Sequence, residues 1–461
     1  MAKPSLTSAT QNQAPQRSFA MDRYATELRN ELWTKVDKMN ELRWLFVKDP
    51  LRDFTRRYKL PLDRMLKIMI QLQAKSLPHE LGDYFSYKPD MPTPSAFIQQ
   101  RSKLTDYALP ALFSVWTEAH PPRRMANGYR LIACDGSDVY FASNPQEQDC
   151  YFEQDGAQGY CLAHLNALQD VIGGTYLDAI VQNRHCENEV EAMIKMLERQ
   201  NWDSKTIFVA DRGYECYKLM GHIQERHQYY VLRVKSVTSN GILSGFSFPE
   251  STEFERSVTV SLTRKQTNEA KAQMAEAPER YRFVPKDSSF DLCDLYHCLY
   301  YDLSFRVVCV RLSDDSFEYL VTNLPESEFS PAALREIYHM RWGIETSFRQ
   351  LKYTIAMNAF HTKKAEFIQQ EIFASLILFN FCQLVASHAA LFKKSGDSSR
   401  TYKLNFSMVV GACRTLLRSP LDDPPDTIAV ISRFFVSVRP DMHFERRKKP
   451  RKPLDAFYRA A

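Results

Sequence analysis

Two short, mostly apolar runs, Tyr129–Cys134 and Thr206–Ala210, each end in an aspartate that a glycine follows closely: Asp135-Gly136-Ser137 and Asp211-Arg212-Gly213. Their length, and the turn residues that bound them, are those of buried strands. Between and after them the pattern alternates. Tyr160–Ile172 and Thr175–Gln182 are strand-like and joined by Gly173-Gly174, a good hairpin turn. A helix follows over Glu187–Arg199, another near Glu215–Arg226, and a strand at Tyr229–Val234. This alternation predicts an α/β unit. Asp135 and Asp211 are then expected at strand ends, where a glycine lets the backbone turn away. If the strands are neighbours, the carboxylates converge. A bare anionic pair is unfavourable, and Mg²⁺ or Mn²⁺ resolves it because hard cations prefer oxygen ligands. The plainer alternative is that each aspartate only caps the next helix.

The flanks read differently. Residues 1–20 are small, polar and proline-containing, and are expected to be disordered. Residues 21–128 read as helical: Leu28, Leu32, Val36 and Met39 keep helical spacing, as do Leu62, Met65, Leu66 and Met69. Pro89, Pro92 and Pro94 interrupt the pattern before a short helix, Ser95–Leu104, with Ser95 as the expected N-cap. Arg52, Arg56, Arg57, Lys59, Arg64 and Lys67 cluster here, either as a solvated helix face or as part of a DNA-contacting module. Residues 236–325 alternate apolar and polar positions at Ser257–Leu262 and Phe305–Leu312, and read as a β-rich insertion splitting the α/β unit into 129–235 and 326–370. A helical part, 371–438, follows. Within it, 372–392 carries no Asp, Glu, Lys or Arg, enough residues to span a bilayer. Its Ser375, Asn380, Gln383, Ser387 and His388 favour a buried core helix instead, so no membrane partner is expected.

Several chemistries are excluded. There is no GxxxxGK phosphate loop, no GxGxxG turn and no GxSxG elbow, and His79-Glu80 is not completed by a second histidine. The ten cysteines form no CxxC pair, and their irregular spacing favours reduced thiols in a cytosol.

The segment around Glu345 adds the third acidic position. On one long helix, Ala332–Lys352, at about 100° per residue, Tyr338, Arg341, Glu345, Arg349 and Lys352 share one narrow stripe. Ile337, Met340, Ile344, Phe348 and Leu351 form an adjacent apolar stripe expected to pack on the sheet. An ion-paired surface helix needs only Arg341 and Glu345. One carboxylate among three cations suits a metal ligand lying beside a phosphate backbone.

These residues carry a family resemblance. Tyr338, Arg341, Glu345 and Lys352 match at every position the Tyr-x2-Arg-x3-Glu-x6-Lys element of a subgroup of bacterial insertion-sequence transposases of the DDE type. Asp135-Gly136-Ser137 resembles the first acidic position and Asp211-Arg212-Gly213-Tyr214 the second. His164–Ala167, Tyr176–Asp178, Ser95–Phe97 with Arg101, and Phe360-His361 with Lys363-Lys364 are also similar to family members. The resemblance spans about residues 50–400.

It implies a ribonuclease-H-like core, a mixed sheet flanked by helices, with a β-rich insertion between the second Asp and the Glu. It implies Asp135, Asp211 and Glu345 as ligands of two Mg²⁺ (or Mn²⁺) ions and catalytic residues of cleavage at inverted-repeat ends and strand transfer, in a cut-and-paste route through a hairpin. Tyr338, Arg341, Arg349 and Lys352 would hold DNA phosphates. A member of this subgroup carries a tryptophan in the insertion that stacks on a flipped base. Residues 236–325 contain none, which leaves Phe317 and Tyr319 as base-stacking candidates. Implied partners are transposon-end and target DNA and a second copy of the chain, in the bacterial cytoplasm at the nucleoid.

Two other readings stay open: a DNA-binding regulator or inhibitor of transposition that no longer cuts, and a host-adapted nuclease of the same fold. The regulator's expected mark is a lost acidic residue, and all three are present. The charge balance names no partner by itself. Sixty Lys and Arg oppose 55 Asp and Glu, and the net +5 can be assigned wholly to residues 439–461, which hold 8 basic and 3 acidic side chains. This basic tail is read as an arm making nonspecific phosphate contacts.

Overall fold

The computed structural model describes residues 22–438 apart from 57–58, 154–158, 184, 186, 203–204, 251, 314–315 and 392–400. The segment 1–20 expected to be disordered and the basic tail, 439–461, lie outside the described residues.

Helices α1 (Tyr24–Glu41), α2 (Leu62–Gln71), α3 (Leu77–Phe85), α4 (Pro94–Arg101) and α5 (Ala108–Glu118) come first. Thr93, not Ser95, caps α4: its side chain accepts from the Ala96 N–H at 3.2 Å. Pro94 takes the first helical position, where its missing N–H costs nothing.

The central unit runs β1 (Arg130–Phe141), β2 (Tyr151–Phe152), β3 (Tyr160–Asp170), β4 (Tyr176–Asn183), α6 (Glu189–Arg199), β5 (Thr206–Ala210), α7 (Tyr217–Glu225) and β6 (Tyr229–Val234). The β3–β4 hairpin turns at Gly174, whose φ of 78° suits glycine. The order β4-β3-β1-β5-β6 is an antiparallel meander of three strands continued by two parallel ones. This is a ribonuclease-H-like mixed sheet. The parallel strands follow from the crossovers through α6 and α7, which cover one face.

The residue 236–325 stretch contributes β7 (Phe254–Thr263), α8 (Asn268–Glu276), β8 (Tyr281–Phe283), α9 (Leu292–Leu295), β9 (Tyr301–Ser313) and β10 (Ser316–Thr322). It is β-rich, as expected, but its strands extend the same sheet. β10 pairs antiparallel with β6, and β9, β7 and β8 follow outward.

The long helix expected over 332–352 is broken. α10 (Pro331–Met340) ends at Arg341, α11 (Trp342–Arg349) begins there, and a π-helical turn, Gln350–Thr354, follows. The break has a packing cause. Leu334, Ile337 and Tyr338 of α10 enter the cluster over β5, β6, β9 and β10, whereas Ile344 and Phe348 of α11 enter the core formed with β1 and β3. Met340, expected in the apolar stripe, is left exposed between them.

The chain closes with α12 (Ala365–Leu391), β11 (Thr401–Leu404), α13 (Phe406–Arg418), α14 (Thr427–Ile431) and β12 (Phe435–Val438). α12 is long and apolar enough to cross a membrane, with mean hydropathy 1.6 over its best window, yet 72% of that window is buried inside the protein. Its Asn380 explains one polar residue of the run. The amide accepts from the Tyr176 N–H at 2.8 Å and donates to the Tyr176 carbonyl at 2.7 Å, pairing backbone groups of β4 that would otherwise be buried unmade. Residues of α1, α2, α5, α12, α13 and α14 share one core. The helices on either side of the sheet-forming segments therefore form a single body. A buried polar knot holds it. Arg101 of α4 donates to Gln370 (2.8 Å), Glu371 (2.6 Å) and the Phe367 carbonyl of α12, and His361 bonds Glu371 and the Lys75 carbonyl.

Candidate active site

β1 does not end at Asp135 but continues to Phe141 along β3. Its partner on the other edge, β5, stops at Ala210. The parallel register pairs Arg130 with Thr206 through Ala133 with Val209. Asp211 follows the last residue of β5, and its negative charge is near enough to Asp135 to help raise that carboxyl's pKa. Beyond the end of β5 the edge of β1 is open, and Asp211 borders that notch. Asp211 also caps the short 3₁₀ turn Arg212–Tyr214, accepting from the Gly213 N–H at 2.8 Å.

The two glycines have a cause other than turning. Neither takes a positive φ. A Cβ on Gly136 would collide with Glu189 Oε1 and His164 Nε2, and one on Gly213 would lie 3.0 Å from Asp211 Oδ1 and 3.4 Å from Glu189 Oε2. They leave room for side chains.

α11 places Glu345 over the face that carries Asp135. Arg341, 4% exposed, joins them: its guanidinium donates to Glu345 Oε1 at 2.7 Å and lies 3.5 Å from Asp135 Oδ2. α11 is fixed from beneath by Ser347, whose hydroxyl bonds the Tyr176 hydroxyl at 2.7 Å. Burial, with the negative charges of Asp211 and Glu345, pushes the Asp135 carboxyl up to about 7, against the pull of Arg341 and the Gly136 N–H. Asp135, which is desolvated, and Glu345 share one close guanidinium, and Asp211 adds a third negative charge that acts on Asp135. All-oxygen donors with excess negative charge suit a hard divalent cation, so the residues present fit Mg²⁺ or Mn²⁺.

The other expected site residues divide. Tyr338 is buried, with the Arg341 guanidinium 5.6 Å from its ring. Arg349 is exposed. Lys352 is brought by the π turn onto β1, where it donates to Ser137 Oγ and the Asp138 carbonyl, each at 2.6 Å, and burial lowers its pKa. Tyr319 is a core residue of β10, packed near Phe254, and so is not presented to a base. Phe317 is half-buried with Arg311 over its ring at 5.6 Å. In the helical region Lys67 is engaged by Asp37 at 2.8 Å, while Arg52 and Arg56 are exposed.

Sequence reasoning missed a group beside the notch. Asp138, His164 and Glu187 bring one ligand-type atom each within 4.8 Å of one another. His164 Nδ1 bonds Asp138 at 2.9 Å and Nε2 bonds Glu189 at 3.0 Å. Burial lowers the imidazole pKa, but the bonds to Asp138 and Glu189 outweigh it and the net shift is upward. A cavity of about 430 Å³ opens here, lined by Gly136, Asp138, His164, Glu187 and Lys352. The resemblance at His164–Ala167 was the one sequence signal for this group.

Carboxylates gathered at the end of a ribonuclease-H-like sheet define a candidate metal-dependent nucleotidyl-transfer class. Comparison with known proteins makes this specific: the transposase DDE domain family matches residues 126–381, more than half of the chain, and the chain belongs to that family. Two Escherichia coli relatives, the InsL protein of insertion sequence element IS186A (strain K12) and the transposase for insertion sequence element IS421, are each 38% identical over 58 residues. Those matches span 13% of this chain and only 16% of each relative. Among solved structures, a piggyBac transposase synaptic complex with hairpin DNA is similar at a TM-score of 0.46 and 10% identity, over 87% of this chain and 81% of the other.

Proposed function

We propose that this chain is a DNA transposase that cuts at the inverted-repeat ends of its element and joins them to target DNA, with Asp135, Asp211 and Glu345 holding two Mg²⁺ (or Mn²⁺) ions. The observation that carries the reading is the bridge from Arg341 to both Asp135 and Glu345, with the charge of Asp211 close enough to act on Asp135. Such a pair of ions activates an attacking water or DNA 3′-hydroxyl and stabilises the leaving oxygen of an in-line displacement.

The remaining work falls to the protein. Arg341 holds Asp135 and Glu345 together, and a guanidinium at this place would also suit a DNA phosphate. Lys352, bonded to β1, and exposed Arg349 carry phosphate contacts. Tyr338 orients Arg341 from below. No serine or tyrosine nucleophile is required. A hairpin route, a base-stacking role for Phe317, and a dimer assembled on paired ends belong to the same proposal. So does the use of residues 21–128 and 439–461 as DNA-binding parts.

The test is cleavage of duplex DNA carrying the element's own ends. Asp135→Asn, Asp211→Asn and Glu345→Gln should each abolish Mg²⁺- and Mn²⁺-dependent nicking while gel-shift binding survives. Undiminished nicking by any one of them would sink the assignment of that residue. Absence of nicking by the unaltered protein with Mn²⁺ would favour the DNA-binding regulator.

A further inference from the structure

Glu189 stands at the first position of α6, capped by Asn188, with its carboxylate directed back over the strand ends. It occupies the space that a Cβ on Gly136 would fill, and with Asp211 it flanks the point where a Cβ on Gly213 would lie. A side chain at Gly136, next to Asp135, would thus meet the Glu189 carboxylate, whereas at Gly213, two residues after Asp211, the Asp211 carboxylate is the nearer neighbour. Gly136 faces the opposite side of β1 from Asp135. The notch beyond Ala210 is therefore bordered by Asp135 on one face, Asp211 at the end of β5, and Glu189 on the other face.

Glu189 is held there by His164 alone among the described residues. Two cations of the flanking helices are committed to other acids: Lys218 pairs with Glu191 and Asp291, and Arg341 with Asp135 and Glu345. His164 is in turn gripped on its other nitrogen by Asp138, with Glu187 at 3.5 Å. An imidazole buried between two carboxylates, with its other ring nitrogen aimed at a third, is a mount that fixes orientation.

We propose that Glu189 is a further carboxylate of the metal-binding cluster, reaching the notch from the α6 face, and that His164 is its positioning residue. The inference rests on the metal-site reading of Asp135, Asp211 and Glu345. Its distinct content is that the site is closed from both faces of the sheet, so a cation there is gripped between α6 and α11.

Mn²⁺ binding to the full chain without DNA, followed by the loss of the free-ion electron paramagnetic resonance signal, tests both readings separately. Glu189→Gln should weaken Mn²⁺ affinity on the order of tenfold or more, comparably to Asp135→Asn, and Glu189→Asp should recover part of it. His164→Gln should weaken it less. Affinity within twofold of the unaltered chain in Glu189→Gln, with Asp135→Asn and Asp211→Asn defective, overturns the role of Glu189 and leaves the triad standing. Loss in Glu189→Gln with Asp135→Asn unaffected places the cation at the Asp138–His164–Glu187 group and overturns the shared site. A fall in Tm with unchanged Mn²⁺ affinity shows a purely structural role and also overturns it. Should Glu189→Gln fail to fold, Glu189→Asp and Gly136→Ala decide. The alanine would displace the Glu189 carboxylate and the His164 ring that holds it while keeping Asp135 and Asp211 unaltered, and unchanged affinity in both variants counts against the proposal.

Discussion

Arg341 lies 3.5 Å from Asp135, joining a helix to a strand 206 residues earlier in the chain, and the same guanidinium holds Glu345 at 2.7 Å. Buried guanidinium groups are costly unless paired, and buried carboxylates likewise. Each therefore keeps the other in place.

Removing the guanidinium leaves two acids without their common partner. Arg341→Ala should destabilise the metal-free protein by roughly 3–5 kcal/mol. Adding Asp135→Asn to that variant should recover part of the loss. Denaturant titration of the single and double variants measures it, and additive losses would show that the two residues are not coupled.

Asp135 gives the fold a pH dependence of defined sign. Its folded pKa is raised, to about 7 from an ordinary 3.8, mainly by burial. The folded state therefore binds more protons than the unfolded one between about pH 4 and 7, and stability falls as pH rises through that window. Asp135→Asn should stabilise the metal-free protein at pH 8 by up to about 4 kcal/mol and change little at pH 4. Thermal melts in chelator at the two pH values check this. Cation binding should release a proton, so apparent Mg²⁺ affinity should rise through pH 7.

The Arg101–Glu371–His361 knot is a buried ionic group that ties α4 to α12. Although burial raises it, the Glu371 pKa is drawn down to about 2 by Arg101 and His361. A depressed folded pKa contributes stability above the unfolded value, and this is lost as pH falls from about 4.5 towards 2. Arg101→Met should cost roughly 3–5 kcal/mol at pH 7 by leaving Glu371 buried and unpaired. Urea unfolding is the measurement, and a cost under about 1 kcal/mol would show that the knot relaxes to water.

Lys352 touches β1 three residues from Asp135. Lys352→Met should lower end cleavage on the order of 10²-fold, the usual effect of losing one aligned donor in such a site. If the lysine only tethers the strand, Tm will fall and single-turnover cleavage will not.

Deleting residues 445–461 removes seven Lys and Arg. DNA affinity should fall, and the slope of log affinity against log salt should shrink by about 0.9 for each phosphate the tail no longer neutralises. Cleavage of prebound DNA should persist. An unchanged slope would leave the tail without a DNA role.

Local pattern carried a good deal of this. The apolar runs of β1 and β5, the hairpin at Gly173-Gly174, α6, and the β-rich segment after 236 each follow from side-chain periodicity over a few residues, a local property. So did the grouping of Arg341 with Glu345, one turn apart on a helix whatever the fold.

Other features depended on what lies across the core. The sequence alone showed which segments favour strand or helix and where the acids lie along the chain. Only tertiary packing decided that β1 runs past Asp135, because β3 supplies its partner there and β5 does not. Packing also broke the Glu345 helix at Arg341, since its two halves serve different clusters, and so turned Met340 outward. It buried Tyr319, joined β10 to β6, and brought Glu189 and His164 to the glycines beside the two aspartates. Such contacts link residues tens to hundreds of positions apart, and hydrophobic periodicity reports which face of an element is buried but not against which partner.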